Sequence, residues 1–263
     1  MDSSNWLKIL ENAAKHVYVK VSEARVKREL FETIEFKNLL DKTAQHAIIE
    51  SLNGTGISCS FVSEEGDTTI GSGGSSIVIT DPIDGTTNLA WGLQPAVTCI
   101  SYSETSLLSD SIAAVVMDLY SGDTYTAEKS KGARLNGKPI KPCQPRVIRR
   151  SLLSLDISKN LKLERIGPLL YEAQYIRMLG SSAMDICHVA SGVFDAHIDI
   201  RGSLRGTDVA AGLMILKEAG GVYAVNGVRL GELELAKETN LELIASSCNS
   251  LMNQLLELTR ESM

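Results

Sequence analysis

Two carboxylates sit close together in Asp81-Pro82-Ile83-Asp84-Gly85-Thr86-Thr87-Asn88, directly after the β-rich run Ile77-Val78-Ile79-Thr80. The pattern predicts a strand that stops at the acids and a chain that opens through Gly85-Thr86 into a helix N-terminus. Like charges so near each other raise one another's pKa unless a cation lies between them. Carboxylate oxygens are hard ligands that suit Mg²⁺ or Mn²⁺. The N–H groups after Asp84, with the hydroxyls of Thr86 and Thr87, suit an anion such as phosphate. A cation site beside a phosphate site is the equipment of metal-assisted phosphoryl chemistry.

Further acids stand at the expected ends of other elements. Glu64-Glu65 follow the strand-like Ile57–Val62, and Asp41 and Asp208 open expected helices. Taken singly each has a bland reading. An Asp that opens a helix is an N-cap, and Glu-Glu or Asp-Pro marks a turn. Only in combination with the Asp81–Thr87 segment do these acids point to one shared cation site.

The elements that must position these groups alternate. Trp6, Leu10, Ala13, Val17 and Val21 recur at helical spacing after a Ser3-Ser4-Asn5 stretch that can cap, and a second helix is expected over about Asp41 to Leu52, ended by Asn53-Gly54. Strands are expected at Val97–Tyr102, Ile112–Met117 and Asp123–Ala127, then a hairpin at Asn136-Gly137. Gly71-Ser72-Gly73-Gly74-Ser75 reads as a plain turn rather than a phosphate loop, because no helix follows it. Pro139, Pro142 and Pro145 mark a junction, so we expect an N-terminal domain at 1–146 carrying most of the acids and a C-terminal domain at 147–263 completing the site. Downstream the pattern runs Ser151–Asp156 strand, Leu161–Ala173 helix, Tyr175–Leu179 strand, Ser181–Ala190 helix, Val193–Ile200 strand, Asp208–Ala219 helix. Strands at Val222–Val225 and Leu241–Ala245 and a helix at Leu251–Leu258 close the chain. This is a mixed α/β protein in layers.

Bulk properties narrow the partners. With 263 residues the chain is long enough for a substantial core, and a net charge of −6 without a sizeable basic cluster argues against nucleic acid. No apolar run reaches a membrane span, and the N-terminus lacks the basic and apolar stretches of a secretory signal. The five cysteines, Cys59, Cys99, Cys143, Cys187 and Cys248, are scattered without a C-x-x-C pair. We read them as thiols of a cytoplasmic protein, with no disulfide framework and no zinc site. The four histidines, His16, His46, His188 and His197, show no ligand spacing, and Trp91 is read as a lid or core residue.

The Asp81–Asn88 segment resembles the signature of the inositol monophosphatase superfamily. Val62-Ser63-Glu64-Glu65 stands where that family keeps an acidic metal ligand, and Asp208-Val209-Ala210-Ala211-Gly212 with Glu218-Ala219-Gly220-Gly221 is similar to its second signature. Order and approximate spacing are kept over essentially the whole chain. Thr207 departs from the Trp that the family often places before the helix Asp.

The resemblance implies a layered α-β-α-β-α sandwich and a Mg²⁺-dependent phosphate monoesterase, with Mn²⁺ or Zn²⁺ as possible substitutes. It implies Glu64, Asp81, Asp84, Asp208 and the Ile83 carbonyl as metal ligands, Asp41 near a further and weaker metal, and Glu65 behind the ligands. Thr86 with Glu64 resembles the pair that activates the attacking water. Gly85 and Thr86 would hold phosphate oxygens through their N–H groups. Arg177, Ser182, Asp199 and Arg201 fall where the family contacts substrate, with Ser181 in the same turn and Arg205 a third candidate arginine.

Arg177 and Arg201 together are similar to the archaeal branch, which resembles both fructose-1,6-bisphosphatases and inositol-1-phosphatases. A planar arginine fork suits a second phosphate, although a surface ion pair is the alternative for each. The expected substrates are therefore fructose 1,6-bisphosphate and myo-inositol 1-phosphate. A 3′-phosphoadenosine 5′-phosphate phosphatase and a catalytically silent metal- or phosphate-binding protein remain open. The resemblance also implies a homodimer.

Overall fold

The structure, a computed structural model, describes residues 2–30, 32–143, 147–158, 162–237 and 240–260. Pro145 of the expected junction and Leu161, the expected first residue of a helix, lie outside the described residues.

Helices α1 (Ser3–Arg25) and α2 (Thr33–Asn53) come first, followed by strands β1 (Cys59–Ser63), β2 (Thr68–Ile70) and β3 (Ile77–Asp84). The short α3 (Thr86–Trp91) leads to β4 (Val97–Ser103), β5 (Ser111–Asp118), β6 (Thr124–Glu128), β7 (Gly132–Leu135) and β8 (Lys138–Pro139). Then come β9 (Leu152–Leu155), α4 (Leu163–Glu172), β10 (Tyr175–Arg177), α5 (Ser182–Ala190), β11 (Ala196–Leu204) and α6 (Gly206–Ala219). The chain closes with β12 (Val222–Val225), β13 (Val228–Arg229), β14 (Leu241–Ser246) and α7 (Asn249–Leu258).

The strands form an eight-stranded sheet, ordered β2-β1-β3-β4-β5-β6-β7-β8, and a six-stranded sheet, ordered β10-β9-β11-β14-β12-β13. Three apolar clusters make the molecule an α-β-α-β-α sandwich. In the first, the stripe Trp6, Leu10, Ala13, Val17 and Val21 of α1, with Phe36, Leu40, Ala44 and Ile48 of α2, covers one face of the large sheet. The Trp6 ring stacks on Tyr102 of β4 with centroids 3.5 Å apart. The second cluster places α5 and α6 between the two sheets, through residues such as Ala183, Ile186, Leu213 and Leu216. α6 is buried along most of its length, which explains why it reads as Asp-Val-Ala-Ala-Gly-Leu-Met-Ile-Leu with little polar alternation. In the third, Ile166, Leu169, Leu251 and Leu255 of α4 and α7 cover the outer face of the small sheet.

Three local expectations are corrected. β3 does not stop at Thr80: it runs through Asp81-Pro82-Ile83 to Asp84. Against β4 it pairs Asp81 with Cys99 but Asp84 with Val97, so three steps on one strand face two on the other. That bulge accommodates Pro82, which has no N–H to give the ladder. α2 begins at Thr33 rather than near Asp41, so Asp41 lies inside a helix and cannot be its N-cap. The buried stripe of the helix already starts with Phe36 and Leu40, ahead of Asp41, while Ile34 in the first turn is exposed. Trp91 is also exposed, so it is not a core residue. The Asn136-Gly137 hairpin forms as expected, with both residues at positive φ.

Candidate active site

The acids converge because of one parallel strand pair. β1 and β3 run parallel with Ser63 opposite Thr80. Glu64 follows the last residue of β1 and Asp81 follows Thr80 within β3, so this register delivers two carboxylates side by side where the parallel pairing ends. α6 approaches the same edge with its N-terminal turn and adds Asp208. Carboxylate oxygens of Glu64, Asp81 and Asp208 all lie within 4.8 Å of one another. Hydrogen bonds hold two of these groups in place. Asp81 accepts from the Ile83 amide (2.9 Å), and Asp208 accepts from the Arg205 amide (3.1 Å) and the Thr207 hydroxyl (3.0 Å). Asp208 is thus in the first turn of its helix, not at the cap position, which Arg205 occupies.

Asp84 sits beside this trio and reaches across to the second half of the chain. Its Oδ2 accepts from the Ser181 hydroxyl (2.9 Å) and the Ala183 amide (2.7 Å) at the start of α5. The Asn88 side chain ties the same two segments together, donating to the carbonyls of Pro95 (2.9 Å) and Leu179 (2.7 Å). Between them, Gly85 holds φ 90°, and a Cβ there would come within 2.8 Å of the Pro95 carbonyl oxygen. Glycine is required on both counts.

Thr86 opens α3 with its Oγ1 2.7 Å from the Ile83 carbonyl oxygen and 2.9 Å from Asp41 Oδ1. Asp41 reaches this point from the middle of α2. One turn earlier on that helix, Lys37 donates to the Thr87 hydroxyl at 2.9 Å. The expected substrate arginines do not gather here. Arg201 spends its fork on Asp199 (Nε to Oδ1 2.9 Å), Asp156 (Nη2 to Oδ2 3.0 Å) and Ser158. Asp199 is itself fully buried beneath that pair. Arg177 is exposed on edge strand β10, donating to the Ile176 carbonyl (2.8 Å). It is Arg205 that meets the acids, 2.5 Å from Glu64 and 3.2 Å from Asp208. Within the Gly180-Ser181-Ser182 turn, Ser181 rather than Ser182 contacts Asp84, and Ser182 is buried as the first residue of α5.

Electrostatics reflect the crowding. Burial, then the charges of Glu64, Asp84 and Asp208, push the Asp81 carboxyl well above its ordinary range. Burial and the neighbouring Asp208 raise Asp84 to about 8. Burial raises Asp41 to about 7, against the pull of the Thr86 hydroxyl. Asp208 is raised by burial and held down by Arg205. Carboxylates assembled at this cost, all presenting hard oxygen, fit a divalent cation.

The profile of the inositol monophosphatase family matches residues 3–262. The chain belongs to that family. The fructose-1,6-bisphosphatase/inositol-1-monophosphatase of Thermococcus kodakarensis is 27% identical over 98% of both chains. Inositol monophosphatase 2 of Saccharomyces cerevisiae is 32% identical over 83% of this chain and 78% of its own. Among solved structures, a Pyrococcus horikoshii protein described by its similarity to inositol-1 monophosphatase superposes with a TM-score of 0.82. It is 25% identical, over 99% of this chain and 100% of that one. This inositol monophosphatase family member is a phosphatase enzyme, and its acid cluster is one that could hold a metal. Among the described residues, no helix is long and apolar enough to cross a membrane.

Proposed function

We propose that this protein is a Mg²⁺-dependent phosphate monoesterase acting on small sugar and inositol phosphates, with fructose 1,6-bisphosphate and myo-inositol 1-phosphate as substrates. The observation that carries the proposal is the meeting of Glu64, Asp81 and Asp208 oxygens within 4.8 Å. Those three acids would hold the cations, with Asp84 and the Ile83 carbonyl as further ligands. Mn²⁺ or Zn²⁺ could replace Mg²⁺ on the same oxygens. When bound, such cations supply Lewis-acid polarisation of the phosphoryl group and acidify water.

The chain's own groups do the rest. The Thr86 hydroxyl can donate either to the Ile83 carbonyl or to Asp41 Oδ1. Its oxygen then serves as acceptor for a proton of the attacking water, with Glu64 as the second acceptor. Asp41, raised to about 7, changes protonation near neutral pH and stands at the end of that relay. The Gly85 and Thr86 amides, at the start of α3, bind phosphate oxygens. Ser182, Asp199, Arg177 and Arg201 border the substrate in this reading; Arg201 and the Asp199 buried beneath it would do so by opening their present pairing.

We also propose two domains, 1–146 and 147–263, a homodimer, and cytoplasmic residence. The last is supported by the buried thiols Cys59, Cys99 and Cys187. A substrate panel with Mg²⁺, scored by kcat/KM with and without EDTA, tests the function. Release of phosphate from fructose 1,6-bisphosphate and myo-inositol 1-phosphate, lost in EDTA, is the expected result. Preference for 3′-phosphoadenosine 5′-phosphate would move the substrate class to nucleotides. Silence with Mg²⁺, Mn²⁺ and Zn²⁺ on every ester would overturn catalysis.

A further inference from the structure

We propose that Arg205 is the internal counter-ion of the acid cluster, a competitor that divalent cations must displace and that therefore sets their affinity. The inference rests on the metal-dependent reading above. Arg205 Nη1 lies 2.5 Å from Glu64 Oε1, and its Nε lies 3.2 Å from Asp208 Oδ1 and 3.3 Å from Asp208 Oδ2. Glu64 and Asp208 are two of the three acids whose oxygens share one small volume. The guanidinium thus sits on the lone pairs that a cation would need. Asp208 Oδ1 and Oδ2 each accept one backbone or hydroxyl anchor and share the guanidinium Nε, so the acceptor sites of that carboxylate are taken while the fork stays in place. Cation and arginine fork, both positive, compete for the same oxygens.

The local backbone is built for that exchange. Asp208 keeps two anchors that do not involve the guanidinium, the Arg205 backbone amide (3.1 Å) and the Thr207 hydroxyl (3.0 Å). The corner itself is fixed. Gly206 packs so tightly against the 234–236 segment that a Cβ on it would lie 2.6 Å from the Ala236 carbonyl oxygen. The Arg205 side chain has room to move, since it is about one-third exposed. Its departure leaves the Asp208 carboxylate where the cation needs it. In the metal-free protein the same fork offsets the repulsion of Glu64, Asp81 and Asp208, each of which raises the positive charge's hold on its proton.

The test is a calorimetric titration of the EDTA-stripped protein with Mn²⁺ at pH 8.5, for wild type, Arg205→Met and Arg205→Lys, with the melting temperature of each form. Arg205→Met is expected to bind Mn²⁺ at least about tenfold more tightly, the scale of a close charge pair removed from competition. Its metal-free form melts lower than wild type, so saturating Mn²⁺ raises its Tm by a larger increment. Arg205→Lys keeps the charge but loses the fork, and binds Mn²⁺ more tightly than wild type by a smaller factor. Should metal-free Arg205→Met not fold, the lysine variant carries the same sign. Equal or weaker Mn²⁺ affinity in a folded variant, beside a wild type that binds, overturns the proposal. A wild type and variants that all fail to bind Mn²⁺ overturn the metal-dependent reading itself.

Discussion

Replacing Asp81 by Asn is expected to lower turnover of the preferred ester by about three orders of magnitude or more, and at the same time to raise the Tm of the metal-free protein at pH 8. Both effects follow from one position. Asp81 is almost completely buried, with Glu64, Asp84 and Asp208 as its charged neighbours. An amide there keeps the bond from the Ile83 N–H, because its carbonyl oxygen accepts as a carboxylate does. The fold is therefore retained while the charge that attracts a cation is lost. A cation's contribution to phosphoryl transfer is several kcal/mol, hence a loss of roughly a thousandfold or more.

The stability effect has the opposite sign. Asp81 in the folded protein holds its proton to higher pH than in the unfolded chain, so the folded state binds more protons across that window. Stability is then fully present below the ordinary carboxylate pKa and is lost as pH rises through the folded value. Asp41 and Asp84, raised to about 7 and about 8, extend the loss through neutral pH. The metal-free wild type should melt progressively lower between pH 4 and pH 8, and the Asp81→Asn variant should decline less. At pH 8 the variant should melt at least about 2–4 °C higher, the equivalent of roughly 1 kcal/mol in a chain of this size. Kinetics within tenfold of wild type, or a lower Tm at pH 8, would contradict this role for Asp81.

Thr86→Val carries the second large effect. Valine matches threonine in shape but removes the hydroxyl that joins Ile83 and Asp41. Loss of a positioned proton-transfer group costs roughly 10²–10⁴-fold, and we expect kcat to fall by about two to three orders of magnitude on that scale. Metal affinity should change little, because the three converging carboxylates are untouched. The hydroxyl also holds Asp41 down, so its removal pushes the Asp41 carboxyl further up. Residual activity should then shift its acid limb to higher pH. An unshifted pH profile with kcat within threefold of wild type would show that Thr86 only caps the turn.

Much of the site was legible because its residues carry strong local signals. Asp-Pro-Ile-Asp-Gly-Thr after a β-branched run, and Asp208 before an unbroken apolar helix, announce themselves without tertiary knowledge. The parallel pairing of β1 with β3 was not legible, yet it is what places Glu64 beside Asp81. Registers between strands separated in sequence leave no mark on either strand. The bulge at Pro82 was missed for a similar reason, since proline reads as a strand stop unless the partner strand is known. Arg205 was legible as a nearby charge but not as the partner of Glu64, which lies more than a hundred residues upstream. Ser181 and Ser182 are chemically identical in sequence, and only the direction of the α5 entry decides which one meets Asp84. Short edge strands such as β2 and β13 escaped because two or three residues cannot display a period.

The proposed phosphatase site requires carboxylates distant in sequence to hold divalent cations jointly where a phosphate ester binds. Anomalous diffraction from crystals grown with Mn²⁺ tests it most directly. Anomalous peaks are expected bonded to Glu64, Asp81 and Asp208 at metal–oxygen distances of about 2.0–2.6 Å, with the Arg205 side chain withdrawn from them. Peaks elsewhere, or none among these acids at Mn²⁺ concentrations that support turnover, would contradict it.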